Sequence, residues 1–361
     1  MPVMPQTSVR SLLFSIIPLL ACCAIGTGCA RHAAAQANAS PQSVAPTAAQ
    51  AEHAMPAAQA SDSTAVKPAA PAARKPPVPL LWKVSDADNS LYLLGSFHLL
   101  KPDDFPFSAD VDAAFADAES LLFEIDPADM QSGDAATYMA RTAMREDGTR
   151  LNDVLPKATA DKLDKWLQER GSGMLAMGMN GTVLQMFDAW YVGLLVTLQE
   201  MMAHGLDPEH GMDQVIAGQA GSAKKATAGL ETVQEQIRFL DGMDHDEQIQ
   251  MLDEALTMST NTAGLDKLHG AWRDGDAEML WKEMALDMKR AYPQLYQRVN
   301  VDRNDNWVPK LDARLKAPGT DDTLVVVGAL HLLGEDGVVE KLRARGYRVE
   351  RICSACATGK R

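Results

Sequence analysis

Two histidines in this chain stand in the same local setting. His98 lies in "LYLLGSFHLL" (91–100) and His331 in "LVVVGALHLL" (324–333). Each reads as an apolar run, a glycine, two residues, histidine, then Leu-Leu. They are more than 200 residues apart in a chain with eight histidines. Each comes four residues after an expected buried strand, across Gly95 and Gly328. A glycine there lets the chain turn off the strand and leaves room for close backbone approach. Glu124, near the end of "LLFEI", closes a third apolar run. Functional groups in open α/β sheets gather at the carboxyl ends of strands. If the three strands are parallel neighbours, the three side chains face one crevice. Two imidazoles and a carboxylate suffice for a first-row divalent metal with an open position. They serve metal-free acid/base chemistry equally well. A lone GxxH histidine would be read as a strand-end residue bonded to a loop; the matched pair argues for one shared site.

The elements that must position them can be read from pattern. "PLLWKVSDADNSLYLLGSFH" predicts a hairpin: strand Leu80–Val84, turn "SDADNS", strand Leu91–Leu94. "SADVDAAFADAES" predicts an amphipathic helix with Ser108 as N-cap. "LLFEID" follows as a buried strand ended by Pro127. Strand, helix and strand in this order predict a βαβ unit with parallel pairing. From about Gly133 to Val299 the patterns are mostly helical, with "KKATAGLE" as a short strand between two helices. Then "VDRNDNWVPKLDARLKA" predicts a helix, and "DTLVVVG" a strand of the kind buried inside a parallel sheet. "EDGVVEKLRARG" reads as a helix stopped by Gly346, and "YRVERI" as a last strand. The expected fold is α/β, α+β-like in its segregation. A mixed, largely parallel sheet is built from the N- and C-terminal segments, with a large helical insertion over about 133–299. The whole forms a single domain over 80–352 with a short tail, 353–361.

The first 79 residues belong to other categories. Met1 to Leu20 carries Arg10 and the apolar run "LLFSIIPLL", the composition of a secretory signal. Leu19-Leu20-Ala21-Cys22 resembles a bacterial lipobox with Cys22 as the lipidated residue. Cys29 is the poorer candidate, because Gly26 stands where a large aliphatic is usual. The alternative is simple secretion with cleavage near "AAAQA". Residues 1–29 are thus read as signal, and 30–79, rich in Ala, Pro, Gln and Ser, as a disordered tether. The expected location is the periplasm or cell envelope, with membrane contact only through a lipid at Cys22. These 79 residues hold five basic and two acidic side chains, so the net charge of −14 becomes −17 for the remainder. That disfavours nucleic acid and anionic lipid surfaces as partners. "CSAC" places Cys353 and Cys356 where an oxidising compartment gives a local disulfide or idle thiols. A redox role wants a helix start after the strand, and too few residues are expected to remain for one.

Several of these stretches resemble the TraB/PrgY/GumN family, to which the eukaryotic Tiki metalloproteases belong. They are "LLWKVSDADNSLYLLGSFHLL", "LLFEID", "GLETVQEQIRFL", "DRNDNW" and "LVVVGALHLLGEDGVVEKLRARGYRV". The resemblance covers most of Pro79 to Ile352, and the two GxxH motifs are its hallmark. It implies a site made of His98, His331 and Glu124, with Glu231, Arg303 and Asn304 on recurring positions. It further implies a metal-dependent hydrolase, peptidase-like, with a divalent metal of the Mn or Co type or Zn. In that reading His98, His331 and a carboxylate hold the metal, and Glu124 is third ligand or general base. Glu231 competes for the base role. Arg303 faces a substrate carboxylate or oxyanion, or is a structural ion pair, and Asn304 has a similar structural alternative as a capping amide. The substrate expected on that reading is a peptide or another compound with an acyl bond. The alternatives are a non-catalytic module that captures a peptide signal, and a metal-free His/Glu esterase-like hydrolase.

Other clusters are weaker. Met174, Met177 and Met179 in "GSGMLAMGMNG" fit a lid, a groove wall or plain packing better than copper. "HGLDPEHGMD" offers His204, Asp207, Glu209, His210 and Asp213. Its family counterpart is a GxD loop without the histidines, and it is read as a solvated turn between helices. His245 and His269 sit among charged helix residues.

Overall fold

The computed structural model describes residues 74–176, 178–258 and 263–358. The signal, the lipobox with Cys22, Cys29 and also Met177 lie outside the described residues. The hairpin forms where alternation and turn residues place it. β1 (Leu81–Ser85) and β2 (Ser90–Ser96) pair antiparallel, with Leu81 opposite Leu94. Asp86 closes the turn by accepting from the backbone N–H groups of Asp88 and Asn89, as Asp does in turns generally. The Asn89 amide then donates to the carbonyl of Leu315, tying the hairpin to a distant segment.

A helix, α1 (Ala109–Asp117), leads on to β3 (Ser120–Phe123). Ser108 takes the N-cap position, but its hydroxyl makes no capping bond and is buried without a partner. β2 and β3 are parallel, as a βαβ unit requires. They are not neighbours, however, because the sheet runs β4-β3-β5-β2-β1-β6. β5 (Thr323–Gly328) lies between them, paired parallel with both: Leu94 and Phe123 flank Val326. A run of Leu and Val buried on both faces is the pattern of an interior strand in a parallel block, and β5 lies in the interior of this sheet. β4 (Ala226–Gly229) comes from within the helical insertion and extends the parallel block beyond β3. β1 alone runs the other way, between β2 and β6 (Arg348–Ile352).

The insertion packs around helices that are apolar on most faces. α2 (Ala189–Ala203) is buried along nearly its whole length and lies against α4 (His245–Met258). Met174 is fully buried at the end of a helix spanning Lys157–Ala176, so it packs the core. His269 has a stronger role than its charged surroundings suggested. With Arg273 it encloses the fully buried Asp104, whose carboxylate meets His269 Nε2 at 2.7 Å and also takes the guanidinium. Arg273 also donates to the Lys75 and Asp103 carbonyls, which fixes the entering chain and the loop after His98. Cys353 and Cys356 form a disulfide. A short helix, Ser354–Thr358, does follow the last strand, contrary to expectation.

Asp104→Ala leaves two basic side chains facing a buried void. The expected loss is about 3–5 kcal/mol, read as a fall in thermal midpoint on the order of 10 °C. An unchanged midpoint would show that the cluster is not structural.

Candidate active site

Four neighbouring parallel strands each deliver one group beyond their carboxyl ends. β4 ends before Glu231, β3 before Glu124, β5 before His331 and β2 before His98. The pairing outlasts the strands: Leu230 N–H bonds the Phe123 carbonyl, and Glu231 N–H the Glu124 carbonyl. Thr232 then caps the next helix, α3 (Val233–Asp241), in a capping box with Glu235, a local arrangement that starts helices reliably. Gln236 on that helix reaches back, donating to Glu231 Oε1 at 2.9 Å and Glu124 Oε2 at 3.2 Å.

Arg303 is the hub. It opens a helix, α5 (Asp302–Leu315), preceded by a π-helical turn over Gln297–Val301. Its Nε donates to Glu231, Nη2 to Glu124 Oε2 at 2.6 Å and to Glu231, and Nη1 to the Val299 carbonyl and His331 Nε2 at 2.9 Å. Every donor a guanidinium owns is thereby used inside the protein. The side chain is 3% exposed and lies over the Trp307 ring, whose Nε1 donates to Glu231. Of the two roles expected for Arg303, this arrangement makes the ion pair; no donor is left for a substrate. His331 packs against Trp307 and is bonded at both nitrogens, Nδ1 to Asn304 Oδ1 at 2.8 Å and Nε2 to Arg303. Asn304 passes the contact on, its amide donating to the Asp336 carbonyl.

His98 is different. Its Nδ1 meets Asp213 Oδ1 at 2.9 Å, whereas its Nε2 is buried with no partner. The site residue that reading the sequence missed is therefore Asp213. It was taken as part of a solvated turn; instead, the chain there docks on the GSFH loop. Met212 N–H bonds the Phe97 carbonyl, and a Cβ on Gly211 would lie 2.2 Å from the His98 carbonyl oxygen. Only glycine allows that approach. The other groups of the stretch do not join the site: His204 bonds the Glu200 carbonyl and Asp207 caps its own turn. The GxD pattern was the available signal. Gln236 and Trp307 were also missed, although both lie within the stretches that carried the resemblance.

Gly328 sits at the centre. A Cβ there would stand 3.1 Å from Glu124 Oε1, 3.4 Å from His98 Nε2 and 3.7 Å from His331 Cδ2. The Gly328 N–H also donates to Glu124 Oε1. His98, Glu124 and Asp213 line a cleft of about 490 Å³, solvent at its mouth included, together with Ile125, Met130 and Ala217.

The charges sort themselves by partner. Burial alone would raise the Glu124 carboxyl, but Arg303 and then the two histidines hold it at about 2. Burial raises Glu231, and Arg303 only partly offsets this. Burial and then Arg303 push His331 down to about 3, so it is neutral. Burial works against a charge on His98, but Asp213 outweighs it and raises the pKa.

Two of the three expected metal ligands fit that role. His98 Nε2 is an unpartnered buried nitrogen on a ring backed by a carboxylate, the usual support for a ligating imidazole, and it and Glu124 Oε1 both border Gly328. The third does not fit as arranged, because His331 Nε2 is taken by Arg303. Among the described residues, no three His, Cys, Asp or Glu side chains are grouped to hold a metal ion. Freeing His331 Nε2 would leave a buried N–H of Arg303 Nη1 without its acceptor, at a cost of about 1–3 kcal/mol.

A mixed sheet with one histidine beyond the end of each of two neighbouring parallel strands is the frame of the class. Residues 80–351 match the TraB/PrgY/gumN family, and the chain belongs to it. Similar proteins include the uncharacterized protein YbaP of Escherichia coli (strain K12), 26% identical over 71% of this chain and 89% of that one. Another is the metalloprotease TIKI2 of Xenopus tropicalis, 23% identical over 75% of this chain and 59% of that one. No solved structure matches.

A histidine held neutral in the fold has a testable sign. The folded pKa of His331 lies below its ordinary 6.5, so its stabilising contribution is complete above that pH and is lost as pH falls toward 3. In chelator-treated protein, unfolding by urea should show His331→Gln losing about 2–3 kcal/mol less than wild type between about pH 6.5 and 4.5. Identical pH slopes would refute the assignment.

Proposed function

We propose that this protein is a hydrolase of an acyl bond, peptide or ester, with His98 as the group that activates water. The observation that carries the reading is the buried, unpartnered Nε2 of His98, a residue that lines a cleft together with Glu124 and has Asp213 on Nδ1. Asp213 accepts only, so it fixes the proton on Nδ1 and leaves Nε2 as the base. Water attacks the carbonyl carbon while its proton passes to Nε2. The same proton then goes to the leaving nitrogen or oxygen as the acyl bond breaks. Asp213 and the ionised Glu124 stabilise the imidazolium in between. Arg303 acts one step back by keeping Glu124 ionised.

A metal-dependent version is the second reading, favoured by the same orphaned nitrogen and by the metalloprotease among the relatives. His98 and Glu124 would hold a divalent ion, Mn or Co in type or Zn. Such an ion supplies a bound water of lowered pKa and polarises the carbonyl. The composition of the N-terminal segment supports action in the cell envelope, with an export signal and a lipid on Cys22. Among the described residues no helix is long and apolar enough to cross a membrane.

The test is turnover of a peptide library and of activated esters, with added Mn²⁺ or Co²⁺ and with chelator. His98→Ala should lower kcat/KM by about 10²–10⁴-fold, and Asp213→Asn by about 10–100-fold. Persistence in chelator selects the metal-free version. No turnover under any condition would leave a peptide-binding module in place of an enzyme.

A further inference from the structure

We propose that His331, the second GxxH histidine, is a positioning residue that aims Arg303 and is not a metal ligand. The two histidines occupy matched places in the sequence, yet their ring nitrogens are used in opposite ways. His98 keeps Nε2 free, and His331 spends both nitrogens on protein.

The polarity of the His331 bonds is forced from both ends. A guanidinium only donates, so Nε2 beside Arg303 Nη1 must accept. The proton then sits on Nδ1, which donates to Asn304 Oδ1. That orientation turns the Asn304 amide nitrogen toward the Asp336 carbonyl, 2.8 Å away, which only accepts. No member of this chain can be reversed without setting two donors or two acceptors face to face. The chain starts at the buried hub and ends in a loop whose Asp336 carboxylate holds Tyr296 at 3.1 Å and Lys289 at 2.8 Å. Nε2 is the nitrogen a metal would need, and in this arrangement it is the fifth contact of Arg303. The inference holds for any chemistry at His98, with or without a metal.

The experiment uses protein labelled with ¹⁵N in histidine and arginine, followed by NMR during titration with Zn²⁺. His331 should carry its proton on Nδ1 and keep its Nε2 shift as zinc is added, while His98 responds. In His331→Leu, exchange of the Arg303 Nε proton should speed up by at least about tenfold. His331→Gln, which offers a side-chain oxygen to Nη1, should bring exchange back to within about threefold of wild type. Zinc moving His331 Nε2 together with His98 would overturn the proposal. So would Arg303 exchange that ignores the leucine variant. If zinc moves neither histidine, the metal-dependent reading of the function fails while the exchange data still decide the role of His331. Should the leucine variant not fold, the titration of the unaltered protein and the glutamine variant remain sufficient.

Discussion

A guanidinium without water must find five acceptors in the protein, and much of this structure is the answer to that demand. Moving such a charge inside costs several kcal/mol even after relaxation. Glu231, Glu124, the Val299 carbonyl and His331 replace the lost water around Arg303. Each replacement restricts something else. Two carboxylates can share one cation only if β3 and β4 end level, so the charge and the strand register specify each other. An imidazole can accept from a guanidinium only if it is neutral, which in turn dictates the orientation of Asn304. One positive charge between two carboxylates leaves the pair unequal. Glu124, which also takes the Gly328 N–H, is the one held ionised, whereas Glu231 rises.

The parts of the site legible in the sequence were those written as a strand end. An apolar run, a glycine and a histidine announce their position locally, and Glu124 does the same after "LLF". Glu231, Arg303 and Asn304 carried no such mark and came into view through resemblance. Asp213 was hidden by its company, because a stretch with two more histidines and two more acids looks like a solvated turn. What places it at His98 is the contact between two backbones, Met212 on Phe97, which no one-dimensional pattern contains. His269 was overlooked for the same reason, since its partner Asp104 is 165 residues away.

The fold divides along the same line. Strand and helix types followed from periodicity and turn chemistry, including the short strand in "KKATAGLE". The order of strands did not. β2 and β3 read as adjacent because they are adjacent in the chain, but a strand that is apolar on both faces competes for the interior of the sheet, and β5 wins that place. Local pattern states how buried a strand must be; which two edges it separates depends on every other strand.

The central place of β5 also gives the molecule a sense of completeness. Until residue 328 has been made, β2 and β3 have no common neighbour, and each presents a bare apolar edge of the kind that invites aggregation. The missing strand also brings the glycine around which Glu124 and His98 meet. A copy whose synthesis stops early therefore lacks structure and chemistry together.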